Sequence, residues 1–165
     1  MVDASRRGFL RGRPRPRAEI RPPWALPEPT FSDRCTRCGD GLTVCPQKIL
    51  VAGDGGFPTV DFARGECTFC GACATACQPS ALVRHDGLPA WPYKALVGAA
   101  CLALHGSECR VCGDFCDARA IGFAPRMGGS PFPAIDKDSC TGCGACVAPC
   151  PTAAITIAPL RGVAG

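Results

Sequence analysis

The chemistry available to this chain lies in cysteine, which occupies 15 of its 165 positions, and in how those cysteines are spaced. Cys67-x2-Cys70-x2-Cys73-x3-Cys77 and Cys140-x2-Cys143-x2-Cys146-x3-Cys150-Pro151 are complete copies of one run, and Cys101-x7-Cys109-x2-Cys112-x3-Cys116 is a third copy with a stretched first gap. A fourth copy, Cys35-x2-Cys38 followed by Cys45-Pro46, carries Gly41 where the third thiolate belongs. Three thiolates at i, i+3 and i+6 wrap a loop around three corners of an iron-sulfur cubane, and the trailing cysteine ligates a second cluster. Tetrahedral zinc is the alternative. It takes well-separated pairs and has no use for a third thiolate three residues further on.

The crossing of the trailing cysteines pairs the runs. Cys67, Cys70, Cys73 and Cys45 fall to one cluster, and Cys35, Cys38 and Cys77 to its neighbour. In the second half Cys140, Cys143, Cys146 and Cys116 form one set, and Cys101, Cys109, Cys112 and Cys150 the other. Three sites are thereby complete for [4Fe-4S] clusters. The site lacking a thiolate at Gly41 suits a [3Fe-4S] cluster, or a labile [4Fe-4S] cluster whose open iron takes water or the Asp40 carboxylate; tolerated loss of a ligand is the plainer alternative. His85 and His105 are isolated and read as surface groups. No Ser-His-Asp set, phosphate loop or paired catalytic carboxylates occur in the sequence, so no substrate-transforming activity is expected.

These sites require an α+β, loop-rich fold of two tandem ferredoxin-like modules of the bacterial two-cluster type. The expected division is a basic Arg/Pro-rich arm over 1–30, module one over 31–85, a linker over 86–94, module two over 95–158 and a tail over 159–165. Ile49–Val51 and Thr59–Phe62 read as short strands joined by a turn at Gly53–Gly56, and Ala120–Ala124 and Ala134–Asp136 as the matching hairpin around Gly128–Ser130. Helical turns are expected near Gly71–Cys77 and Gly144–Cys150. Small residues there, such as Gly71, Ala72, Gly144 and Ala145, let backbone N–H groups approach the sulfides. Modules this small bury little apolar surface, so metal ligation must supply much of the folding free energy.

An odd cysteine count, closely packed CxxC pairs and no signal-type apolar segment point to reduced thiols in a cytosol, not to a disulfide framework. The opening Asp3-Ala4-Ser5-Arg6-Arg7-Gly8-Phe9-Leu10 approaches a twin-arginine export signal, but Arg13-Pro14-Arg15-Pro16-Arg17 follows where an apolar stretch is needed, so export is not expected. Ala95–Leu104 is too short to cross a bilayer, and no membrane insertion is expected. Formal net charge is +4. Four clusters of about −2 each would turn the loaded protein acidic, leaving a basic arm on an acidic body. Arg6, Arg7, Arg11, Arg13, Arg15 and Arg17 are candidates for binding a protein partner; a solvated tail is the alternative. No nucleic-acid partner is expected.

The arginine-rich opening, the segment Arg21-Pro22-Pro23-Trp24 and four cysteine runs with a long third gap together resemble the NapF family of ferredoxin-type proteins of the periplasmic nitrate reductase system, over nearly the whole chain. The resemblance implies a cytoplasmic protein with four-iron clusters that associates with the nitrate reductase catalytic subunit and helps it mature before export. It also implies a full cysteine set in the first run, from which Gly41 departs. Two roles follow: an accessory protein that binds the unexported subunit and supplies electrons or helps cluster assembly, or a soluble polyferredoxin that carries electrons to a cytoplasmic oxidoreductase.

Overall fold

The computed structural model describes residues 19–85 and 87–159. Arg6, Arg7, Arg11, Arg13, Arg15 and Arg17 lie outside the described residues. In chain order the elements are α1 (Thr30–Arg34), α2 (Asp40–Thr43), β1 (Leu50–Ala52), a 3-10 turn (Asp54–Gly56), β2 (Pro58–Val60), α3 (Ala72–Thr75), β3 (Tyr93–Val97), a second 3-10 turn (Leu102–His105), α4 (Val111–Asp114), β4 (Ile121–Arg126), β5 (Gly129–Ile135) and β6 (Ile155–Pro159).

Each segment between paired cysteine runs closes into an antiparallel hairpin. Strands β1 and β2 set Leu50 opposite Val60, and β4 and β5 set Ile121 opposite Ile135. Leu50, Val60 and Ile121 are buried. A slip of one residue would turn these side chains to solvent, which fixes the register. The expected helical turn after Cys70 is α3, but residues 144–150 form successive turns, with the Val147 N–H on the Gly144 carbonyl at 2.9 Å and the Cys150 N–H on the Val147 carbonyl at 3.3 Å.

A second pairing closes each module and was not expected. Strand β3 runs antiparallel to β6, placing Ala95 opposite Ile157. Its counterpart in module one is the single bridge between Ala25 and Leu82, flanked by Leu26 N–H to the Ala81 carbonyl at 3.0 Å and Val83 N–H to the Trp24 carbonyl at 2.8 Å. Proline supplies no ladder donor. Pro22, Pro23 and Pro27 therefore hold this strand to the residues between them, whose N–H groups pair on both sides: Trp24 N–H reaches the Ala90 carbonyl at 2.7 Å.

Residues 19–30 are thus packed onto the first module. The Ile20 carbonyl accepts from the Val60 N–H at 2.8 Å and the Thr59 hydroxyl at 3.0 Å. Arg21 lies over the rings of Phe31 and Phe57 at 5.0 and 5.3 Å and pairs with Glu19 at 3.0 Å. Trp91, within the expected linker, is buried against the first core.

Among the described residues the buried set is apolar and contains no charged or polar side chain. Many of its members are cysteine or alanine, including Cys45, Cys73, Cys101, Cys112, Cys140 and Cys146 beside Ala81, Ala103, Ala120 and Ala154. Such small side chains supply little hydrophobic stabilisation. No helix among the described residues is long and apolar enough to cross a membrane.

Candidate functional site

The cysteine runs share one backbone signature. In three of them the residues on both sides of the second cysteine are left-handed: Arg37 and Gly39, Phe69 and Gly71, Gly142 and Gly144. This double reversal turns the loop sharply on both sides of the second cysteine. The residue after the second cysteine is glycine each time because a Cβ at φ 82–85° would be strained. Helices α2 and α3 start directly after Gly39 and Gly71. The third run departs: Arg110 takes the corresponding place with φ −127°, and the longer gap is filled by the 3-10 turn Leu102–His105.

The exit from each run is also repeated. Three residues beyond the trailing cysteine the chain is left-handed in all four copies, at Lys48, Ser80, Arg119 and Ala153. One residue later stands a buried apolar side chain: Ile49, Ala81, Ala120 and Ala154. In two copies this last residue donates its N–H to the trailing sulfur, Ala120 to Cys116 Sγ at 3.3 Å and Ala154 to Cys150 Sγ at 3.2 Å. Such bonds favour the anionic sulfur that metal requires. These four positions were missed in the sequence. Aligning the runs on their trailing cysteines would have exposed the repeated small or apolar residue.

Eight of the cysteines gather as two groups of four. A pocket partly open to solvent is lined by Cys45, Cys67, Cys70 and Cys73 with Trp24, Ile49 and Phe69. A second is lined by Cys116, Cys140, Cys143 and Cys146 with Ile121 and Ile157. Cys101 and Cys109 are close enough to Cys112 to affect its ionisation, and Cys101 packs with Cys150, Ala103 and Ala154. Cys35 and Cys77 lie against the first core, whereas Cys38 is exposed.

None of the cysteines is joined in a disulfide. Burial pushes the Cys67 thiol up to about 12, helped by the neighbouring Cys73, Cys45 and Cys70 and opposed by the Phe69 N–H. Burial likewise raises Cys73 to about 11 and Cys146 to about 12, with adjacent thiols adding to it. At Cys150 burial acts upward but is outweighed by donors from Thr152, Ala154 and Ile155, and the net direction is down. Crowded sulfurs without countercharge thus hold their protons, and metal displaces them. An all-sulfur donor set in an apolar pocket fits an iron-sulfur cluster, which would supply one-electron chemistry there.

The two modules meet at these loops. The Cys67 N–H donates to the Cys143 carbonyl at 2.8 Å, which joins a cysteine loop of one module directly to a cysteine loop of the other. Trp91 sits over the contact, with edge-on rings of Phe69 at 5.4 Å, Phe62 at 5.9 Å and Tyr93 at 5.9 Å, and donates Nε1–H to the Thr141 carbonyl at 3.0 Å. Lys94 Nζ donates to the Cys140 carbonyl. A Cβ on Gly144 would overlap the Phe62 ring, so this approach is possible only without a side chain.

Comparison with known proteins agrees with this chemistry. The 4Fe-4S dicluster domain family matches residues 32–81, and the 4Fe-4S binding domain family matches residues 133–156. The ferredoxin-type protein NapF of Haemophilus influenzae is 54% identical over 86% of this chain and 80% of its own length. NapF of Escherichia coli is 46% identical over 94% of each chain. A methylamine utilization ferredoxin-type protein, MauM of Methylobacillus flagellatus, is 36% identical over 92% of this chain and 73% of its own length. With sulfur-lined cavities in both modules and relatives of this closeness along most of its length, the chain belongs to the NapF family of ferredoxin-type, [4Fe-4S]-binding proteins.

Proposed function

We propose that the chain is an iron-sulfur accessory protein that binds the cytoplasmic form of the periplasmic nitrate reductase catalytic subunit and assists its maturation before export, by electron supply or cluster assembly. Its clusters are held by Cys45, Cys67, Cys70 and Cys73, by Cys116, Cys140, Cys143 and Cys146, by Cys101, Cys109, Cys112 and Cys150, and by the incomplete set Cys35, Cys38 and Cys77. The similarity to NapF proteins over most of the chain carries the reading. Module one, module two and the basic arm are separate working parts in it. The arm, with Arg6, Arg7, Arg11, Arg13, Arg15 and Arg17, is the docking element, since opposite charge speeds encounter and orients partners.

The second reading, a soluble polyferredoxin that carries electrons in the cytoplasm, is favoured by one observation. The Cys67–Cys143 hydrogen bond sets the cysteine cavities of the two modules side by side, an arrangement suited to passing electrons along the chain.

Deleting residues 1–18 separates the readings. The deletion spares Glu19, which accepts from the Asp54 N–H at 2.6 Å, and Ile20, so the first module keeps its contacts. Under the accessory reading the truncated protein no longer captures the catalytic subunit, while iron content and reduction potentials stay unchanged. Undiminished capture would remove the arm from the interface and leave it a tail.

A further inference from the structure

We propose that the Cys35, Cys38 and Cys77 site is a three-thiolate centre, open at Gly41, that holds three irons and reversibly takes up a divalent metal ion at its fourth corner. The inference rests on the cluster assignment above and goes beyond it in fixing what the incomplete site does.

Gly41 stands where a ligand stands elsewhere. It is the second residue of α2, as Cys73 is of α3, and each lies four residues ahead of a trailing cysteine, Cys45 or Cys77. In module two the third cysteines of the paired runs, Cys112 and Cys146, belong to one packed cluster. In module one the same juxtaposition survives with one sulfur removed: a Cβ placed on Gly41 would lie 3.8 Å from Cys73 Cβ and 4.0 Å from its carbonyl oxygen. Both are ordinary van der Waals distances, and Gly41 is helical. The scaffold therefore keeps the shape of a cysteine position, and no bulkier side chain has filled it.

The surroundings favour exchange at that corner. Cys38 and Asp40 are exposed and Gly41 is half-buried, so the position is near solvent. An iron at that corner would lack a protein thiolate, and water or an exposed carboxylate would complete its coordination, while Cys35, Cys38 and Cys77 would hold the other irons. On uptake the oxidised three-iron centre accepts one electron from an added reductant such as dithionite and binds one Fe2+, and no protein bond breaks. A chelator with an oxidant reverses it, removing Fe2+ and one electron.

The test compares anaerobically purified full-length protein with its Gly41→Cys variant, by iron and sulfide analysis and low-temperature paramagnetic resonance. A three-iron centre is paramagnetic when oxidised, whereas an ordinary four-iron cluster at the same level is silent. The oxidised wild type is expected to show one paramagnetic centre per chain and one iron fewer than the variant. Fe2+ with dithionite should abolish that signal after reoxidation by a mild mediator, and chelator with oxidant should restore it; the variant should lack it throughout. The wild-type cycle stands without the variant, should Gly41→Cys not fold. Iron-replete wild type with no such signal before or after chelation would overturn this inference alone. Protein without iron at any site would overturn the cluster assignment as well.

Discussion

Stripping iron from the protein with chelator and reductant is expected to unfold both modules, seen as loss of near-ultraviolet circular dichroism and rapid proteolysis between the cysteine runs. The reason is the make-up of the core. Its buried side chains include six cysteines among many alanines, and the largest fully buried ones are Phe31, Ile49 and Pro22. Burial of a methyl-sized side chain contributes about 1 kcal/mol or less, against about 1–2 kcal/mol per residue of backbone entropy. The strands are short, the hairpin of module one pairing only Leu50–Ala52 with Pro58–Val60. Without metal, crowded thiols must also be buried protonated, as the raised pKa values of Cys67, Cys73 and Cys146 indicate. Metal-free protein that kept its dichroism and resisted protease would show that apolar packing suffices.

The second large effect is expected at the junction between the modules. Gly144→Ala places a Cβ inside the Phe62 ring, and Phe62 is itself buried between Trp91 and the loop. The backbone there has φ +84°, which costs an alanine about 1–2 kcal/mol on its own. Overpacking adds about 1–3 kcal/mol. Gly39→Ala is the control: its φ of +85° carries the same conformational penalty, but nothing lies within 4 Å of the added carbon. Anaerobic bleaching of the visible absorbance in urea should therefore be accelerated much more by Gly144→Ala than by Gly39→Ala. Equal acceleration would mean that the contact between Cys143 and Cys67 contributes nothing to holding the sites.

Two pockets of the structure each bring four cysteines together. Cys45 lines the same cavity as Cys67, Cys70 and Cys73, and Cys116 the same cavity as Cys140, Cys143 and Cys146, in the groups that the crossing of trailing cysteines gives. The first hairpin was legible within a residue or two, since turn glycines bracket short apolar stretches, whereas β5 begins at Gly129, well before the expected Ala134, and takes in Gly129 and Ser130 of the expected turn. Long-range pairing was not legible. Strand β3 meets β6 across almost the whole of module two, and no local pattern in Tyr93–Val97 names its partner. Residues 24–26 were hidden by prolines on either side. Trp91 was hidden by Pro89 and Pro92, although its ring is what the two modules share. Proline content signals the absence of helix and of ladder donors, and says nothing of whether the side chains between are buried.

The most direct test of the account is the iron spectroscopy of protein enriched in 57Fe and purified without oxygen. Mössbauer spectra are expected to show tetrahedral sulfur-ligated iron in delocalised cubane clusters, with acid-labile sulfide close to equimolar with iron and no zinc. Colourless protein carrying zinc in place of iron, with no sulfide, would contradict it.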